Sequence, residues 1–221
     1  MPQAPPATSK KPPWLWAGLV AIVAIALGIA VWSTSGDDAT VSEGTTGAGG
    51  ASSSAAETQP VTVIGEALPP PDGEPDPAIG MTPPTLRGFH FDGSPMDITP
   101  GGRAKMVVFL AHWCPHCNRE IPVLQSWASA GGVPADLDII GVSTGVNAQR
   151  DNYPPSRWIV DKAWTWPVLA DSADSDALTA YGVGRFPSFV IVGADGRVKA
   201  RLAGEVPLAD LDALVKQALA T

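Results

Sequence analysis

The stretch Phe109-Leu110-Ala111-His112-Trp113-Cys114-Pro115-His116-Cys117-Asn118-Arg119-Glu120-Ile121-Pro122 decides the reading of this chain. It follows on from a short continuous apolar run, Met106–Ala111, of the kind that forms a strand buried on both faces. Beyond it Ile121, Leu124, Gln125 and Ala128 recur at helical spacing, which predicts a helix from Cys114 to about Ser129, kinked at Pro122. The two cysteines therefore open a helix. A thiolate, not a thiol, attacks a disulfide. Cys114 falls at the helix N-terminus, where unpaired backbone N–H groups and the helix dipole favour negative charge. Pro115 suits the first turn, because its missing N–H would have lacked a partner. His116 adds a positive charge or a donor, so Pro115 and His116 are the residues expected to tune Cys114 toward its thiolate. Cys117, one turn on, is near enough to close a small ring with Cys114 and is expected to be the more buried, resolving sulfur.

Composition narrows what this motif serves. The chain has 221 residues, 14 Lys+Arg against 22 Asp+Glu, and a net charge of −8. An acidic chain repels phosphate backbones, which argues against a nucleic-acid partner. A hydrophobic share of 45% excludes wholesale disorder. Two cysteines are too few for a disulfide-stapled scaffold or a four-cysteine zinc site.

Most of the 23 prolines lie in the first hundred residues, and so does the one long apolar run, 14–32, from Trp14 to Trp32. A stretch of about 20 uncharged residues crosses a bilayer as a helix. Trp14, Trp16 and Trp32 stand at its ends, where indole prefers the headgroup level. The run is longer than a signal-peptide core, and Ala24-Ile25-Ala26, its best small-x-small site, lies inside it, so a retained anchor is favoured over a cleaved leader. Lys10 and Lys11 precede it and Asp37 and Asp38 follow, which keeps 1–13 cytoplasmic and sends the remainder outward. Residues 33–78 read as a Ser/Gly/Pro-rich flexible linker, its end from 66 onward wrapping or leading into the domain. The folded domain is expected over 79–221, about 140 residues, enough for one core.

Within it, Thr85–Phe91 and Pro95–Ile98 flank the turn dipeptide Asp92-Gly93. Asp138–Ser143 and Val168–Leu169 read as strands, Ser172–Tyr181 as a helix closed by Gly182, and 147–163 as a helix interrupted by Pro154-Pro155. Pro187–Val192 and Val198–Leu202 form a hairpin about Ala194–Arg197, and Leu208–Ala220 an amphipathic helix. The alternation predicts an α/β domain with a central mixed sheet and helices on both faces, preceded by one transmembrane helix.

Three motifs carry a resemblance: Trp113-Cys114-x-x-Cys117 continuing through Glu120 and Pro122, Gly182-Val183 before Phe186-Pro187-Ser188, and the late turn Asp195-Gly196-Arg197-Val198. On these the chain resembles thioredoxin-fold thiol–disulfide oxidoreductases, and more narrowly the membrane-tethered extracytoplasmic TlpA/ResA-like group. The resemblance spans 79–221. It implies that Pro187 is cis and lies against the cysteine pair, so that Trp113, Phe186 and Pro187 bind substrate chain. It implies no cofactor beyond the Cys114–Cys117 disulfide. Expected partners are cysteine-containing exported proteins and a membrane redox protein that recycles the pair. The loop Pro115-His116 matches the oxidising DsbA type. Two positions depart from the pattern. Val108 stands six residues before Cys114, where the family has a buried acid, which leaves Glu120 as the candidate for proton transfer. Phe186 precedes Pro187 where Thr or Val is usual.

The expected function is extracytoplasmic thiol–disulfide exchange with exported proteins through Cys114 and Cys117, as an oxidant, because His116 would stabilise the reduced thiolate form. The tethered-group resemblance points instead to a reductant in cytochrome c or metal-centre maturation. A rival of another class is a tethered copper- or zinc-binding module using His112, Cys114, His116 and Cys117. All four fall within six residues, whereas structural zinc sites join two distant pairs, so no metal site is expected.

Overall fold

The strand that leads to the cysteines, β4 (Ala104–Leu110), is buried at every residue. Its side chains alternate between two cores. Met106, Val108 and Leu110 enter one, and Val107 and Phe109 the other. This is a computed structural model, and it describes residues 56–220. Around β4 the described residues form an eight-stranded mixed sheet: β1 (Thr62–Ile64), β2 (Thr85–Phe89), β3 (Pro95–Ile98), β5 (Leu137–Ser143), β6 (Val168–Ala170), β7 (Ser188–Val192) and β8 (Val198–Ala203) join β4. The order is β1-β2-β6-β5-β4-β7-β8, with β3 on the other side of β2. β4, β5 and β6 run parallel, and β2, β7 and β8 antiparallel to their neighbours.

Helices cover both faces, as the alternating pattern predicted. On one face α1 (Pro115–Ser129), α2 (Pro155–Asp161) and α4 (Leu208–Leu219) bury Ile121, Leu124, Trp127, Trp158, Ile159, Leu211 and Val215 against β4 and its neighbours. On the other, α3 (Asp176–Ala180) buries Ala177 and Ala180 beside Phe109, Val190 and Tyr181. Pro122 stays inside α1 with its ring exposed, so the helix passes through it without ending. Asp171 is fully buried and caps α3: its carboxylate accepts the N–H groups of Ser172, Ala177 and Leu178. Orphan donors at the helix start are satisfied in this way.

The folded body begins earlier than the expected boundary at Ile79. Glu57 accepts the Ser156 N–H and hydroxyl at the head of α2. β1 adds to the edge of β2 in the register Thr62↔Arg87. Leu68 is buried, and its N–H donates to Ala180 O at 2.9 Å. Gly182, at φ +62, meets the carbonyls of Leu68 and Pro69 so closely that a Cβ would sit 2.5 Å from each oxygen. Arg201, 3% exposed in its side chain, forks onto the Asp76 carboxylate and also donates to Pro69 O and Tyr181 O. Residues 56–78 are therefore part of the domain rather than flexible linker. Composition hid this because the segment is held by backbone pairing and by the ion pair of half-buried Asp76 with Arg201, with few apolar side chains of its own. The expected cytoplasmic segment 1–13, the anchor 14–32 and the linker residues 33–55 lie outside the described residues. Among the described residues no helix is long and apolar enough to cross a membrane.

The Arg201 bond holds the Asp76 carboxyl below the usual carboxylate range, against the opposing effect of burial. Asp76→Ala leaves the buried guanidinium without its counter-charge and should cost about 3 kcal/mol. Urea unfolding of Asp76→Ala is expected at a lower midpoint with an unaltered slope, with faster proteolytic cleavage within 66–78. An unmoved midpoint would show that the pair does not hold the segment. The depressed carboxyl also sets a sign: this stability is present above the unfolded carboxylate range and lost as pH falls through the folded value.

Candidate active site

β4 delivers the chain to a tight turn at Ala111–Cys114, closed by the Cys114 N–H on Ala111 O at 3.0 Å. Cys114 is the N-cap of α1 in extended geometry, with φ −78 and ψ 118, and Pro115 takes the first helical position. No side chain caps the helix start, so its orphan N–H groups face the region of the Cys114 sulfur. Asn118 Nδ2 donates to Cys114 O at 2.9 Å while its Oδ1 accepts Trp158 Nε1 at 3.0 Å, which pins the turn to α2.

The two sulfurs have different surroundings. Cys114 is 4% exposed and Cys117 is fully buried, and the two are unbridged. Burial pushes the Cys117 thiol far above the usual cysteine range, a hydrogen bond from Ala111 opposing it and the nearby Cys114 sulfur adding to it. Cys117 is thus a thiol at neutral pH. The Cys114 Sγ lies 3.6 Å from the carbonyl oxygen of Phe186. The Phe186–Pro187 peptide is cis, and Pro187 is buried. Trp113 and Phe186 meet edge to face, centroids 5.7 Å apart, beside Gly145, which adopts a left-handed φ of +60. Trp113 Nε1 donates to Gly145 O at 2.7 Å, and the Arg150 guanidinium lies 4.4 Å from the Trp113 ring centre. Trp113, Cys114, Phe186 and Pro187, read from two separated motifs, come together at one rim.

His116 is placed differently from its sequence reading. It is exposed, and its Nδ1 lies 2.5 Å from Glu205 Oε1. Arg119 donates Nε and Nη2 to the same carboxylate. Arg119 first and His116 second hold the Glu205 carboxyl at about 2. Neither Arg119 nor Glu205 carried a sequence signal: one is a helix-surface charge and the other follows a glycine after a strand.

Glu120 is 1% exposed. Its Oε2 accepts the Val206 N–H at 3.2 Å, and its Oε1 is buried without a hydrogen-bond partner among the described residues. Burial pushes its carboxyl up, the Val206 bond opposes that, and Glu205 adds to the rise. The Glu120 side chain lines a cleft of about 540 Å³ with Pro122, Ser126, Glu205 and Leu208. Val108 is packed in the apolar core, so β4 contributes no acid beneath Cys117.

The donors of the metal-module reading do not converge. His112 is fully buried; its Nδ1 donates to Asp151 O at 2.7 Å and its Nε2 accepts the Asn147 N–H at 3.2 Å. Both ring nitrogens are spent on backbone, and desolvation pushes the imidazole down toward its neutral form despite the Asp151 bond. His116 is turned to Glu205. Among the described residues no group of three or more His, Cys, Asp or Glu could hold a metal ion. His90, half-buried, bonds Val168 O and takes no part in the site.

The chain is similar to known proteins over this domain. The redoxin family description covers residues 78–215. The thiol-disulfide oxidoreductase ResA of Geobacillus thermodenitrificans is 26% identical over 140 residues, 61% of this chain and 74% of that protein. The soluble secreted antigen MPT53 of Mycobacterium tuberculosis is 31% identical over 121 residues, 55% of this chain and 63% of that protein, so less than two thirds of its length is matched. Among solved structures, the thioredoxin domain of a thiol-disulfide oxidoreductase from Bacteroides vulgatus superposes with a TM-score of 0.50 at 23% identity, covering 63% of this chain and 96% of that one. That likeness shows the fold. With the family matched across most of the domain and a C-x-x-C pair at the head of α1, the chain belongs to the redoxin family and is an oxidoreductase of the thiol–disulfide class.

Proposed function

We propose that this protein is an extracytoplasmic thiol–disulfide oxidoreductase that reduces disulfides in exported proteins. The observation that carries the reading is the Cys114 Sγ at 3.6 Å from Phe186 O, above a fully buried Cys117. An extended substrate strand laid along the Phe186 backbone brings its own sulfur to Cys114. The Trp113 and Phe186 rings supply an apolar contact surface beside it.

In the reductive direction the Cys114 thiolate attacks one sulfur of the substrate disulfide, and the other sulfur leaves as a thiolate that takes up a proton. Cys117 then loses its proton and attacks the Cys114 sulfur, which releases the second substrate thiol. Two electrons pass to the substrate, and the Cys114–Cys117 disulfide is left for a membrane redox protein to reduce again. Burial makes Cys117 a poor nucleophile until it is deprotonated, so the second step needs a base. Glu120 follows Cys117 by one turn on the same buried face of α1, and its carboxyl is raised; it serves as that base.

The direction rests on His116. Oxidation was expected because an imidazole beside Cys114 would stabilise the thiolate. The Nδ1 of His116 is instead bound by Glu205, which removes the main support for a strong oxidant and favours the reductant reading. A segment at 14–32 long and apolar enough for an anchor, with Lys10 and Lys11 before it, supports an outward-facing domain. The antigen MPT53, a secreted protein by name, supports the same side of the membrane.

Three outcomes test this. Equilibrated with glutathione and read by thiol alkylation, the pair should stay oxidised under buffers that fully reduce a DsbA-type disulfide, with a potential near the thioredoxin value of about −270 mV. A value near −120 mV would return the protein to the oxidant reading. Cys117→Ala should accumulate mixed disulfides with substrate that reducing agent releases, and Cys114→Ser should form none; equal trapping by both variants would remove Cys114 as the attacking sulfur. Glu120→Gln should slow release of the mixed disulfide at least several-fold at pH 7, with the deficit narrowing as pH rises. Because a raised carboxyl costs folding free energy above its unfolded range, Glu120→Gln should also stabilise the fold at neutral pH. A slower enzyme that is also less stable would indicate a structural role.

A further inference from the structure

The loop between β8 and α4 reaches the active site at three successive residues. Gly204 N–H donates to Pro187 O at 2.8 Å. Glu205 receives His116 and Arg119. Val206 N–H donates to Glu120 Oε2 at 3.2 Å. The carboxylate of Glu205 is thus suspended between two backbone anchors, one on the cis-proline loop and one on α1. Exposed ion pairs ordinarily contribute little, because long side chains must be ordered to form them. Here the backbone is already positioned, and Arg119 presents a two-donor fork.

At 2.5 Å from a carboxylate oxygen, the His116 Nδ1 carries its hydrogen and donates it to Glu205. Arg119 Nη2 lies 3.0 Å from the same Nδ1. Arg119 is held charged first by its bonds to Glu205 and also by the field of the Cys114 sulfur. Two groups that could shield a negative sulfur at Cys114 are therefore gathered on one anion.

We propose that Glu205 is a positioning residue that makes the Cys114–Cys117 pair more reducing, by holding His116 and Arg119 and offsetting the positive field of Arg119 at Cys114. This rests on the exchange reading of the cysteine pair and adds the residue that sets its strength. The balance is explicit. Two glutathione thiols and the Cys114–Cys117 disulfide give glutathione disulfide and two unbridged cysteines. Two electrons enter the protein S–S bond, and Cys117 takes up a proton. Cys114 takes up another only to the extent that it is not a thiolate. The oxidised pair is neutral and the thiolate is negative, so a nearby anion disfavours the reduced form and a nearby cation favours it.

The test is the glutathione equilibrium of the full chain and of three variants. Glu205→Gln removes the anion and should move the equilibrium toward reduced protein by about fivefold at low salt, a rise of about 20 mV. Arg119→Gln removes a cation and should move it the other way. Glu205→Asp should fall between wild type and Glu205→Gln. The shifts should shrink in 1 M salt, where the screening length is about 3 Å. Shifts of the same sign in Glu205→Gln and Arg119→Gln, or an unmoved equilibrium in Glu205→Gln, would overturn the proposal. Failure of the wild-type pair to exchange with glutathione at all would instead overturn the exchange reading on which it rests.

Discussion

Desolvation of Cys117 is the constraint around which the active site is arranged. A sulfur sealed under the first turn of α1 does not ionise readily, so it cannot compete with Cys114 for an incoming disulfide. The proposed division of labour between an attacking and a resolving sulfur rests on this desolvation of Cys117 and on the place of Cys114 at the helix mouth. Depth in turn follows from β4: a strand buried on both faces brings the chain out at the sheet end, and α1 folds back over the core that Met106, Val108 and Leu110 have begun. Cys117 lies on the packed side of that helix with Glu120, Ile121 and Leu124, while Pro115, His116 and Arg119 face outward.

The surrounding loops act as clamps on this first turn, and each uses a polar group that is nearly spent. His112 is locked as a neutral ring between Asp151 and Asn147. Asn118 joins the Cys114 carbonyl to Trp158. The β8–α4 loop ties the cis-proline segment to α1 through Gly204, Glu205 and Val206. Glu120 Oε1 is the contrasting case: buried, raised, and without a partner among the described residues. A polar atom kept in that state costs folding free energy, and the proton-accepting role proposed for Glu120 would account for the cost.

Much of the architecture was legible in the residues. The both-faces-apolar run at 106–111, the 3.6-residue period after Cys114 and the Asp92-Gly93 and Asp195-Gly196 turns correspond to β4, α1 and two hairpins of the structure. β1 and the wrap from Leu68 to Ala78 were not legible as structure. Their anchors are main-chain hydrogen bonds, the bare backbone at Gly182 and an Asp76–Arg201 pair 125 residues apart, none of which leaves a periodic pattern.

The sequence by itself determined the chemistry and its depth. Two cysteines three apart at the start of an apolar-faced helix place one sulfur at a helix mouth and the other beneath it, because helical spacing and burial are local consequences of residue order. Which charges act on that chemistry was decided only by the tertiary structure. His116 stands two residues from Cys114, yet its hydrogen goes to Glu205, 89 positions away. The His112 ring is likewise claimed by backbone from 147 and 151. Electrostatic partners depend on distance through space, and a chain folded around a buried sheet brings remote residues against a sulfur, as the Phe186 carbonyl stands 3.6 Å from Cys114.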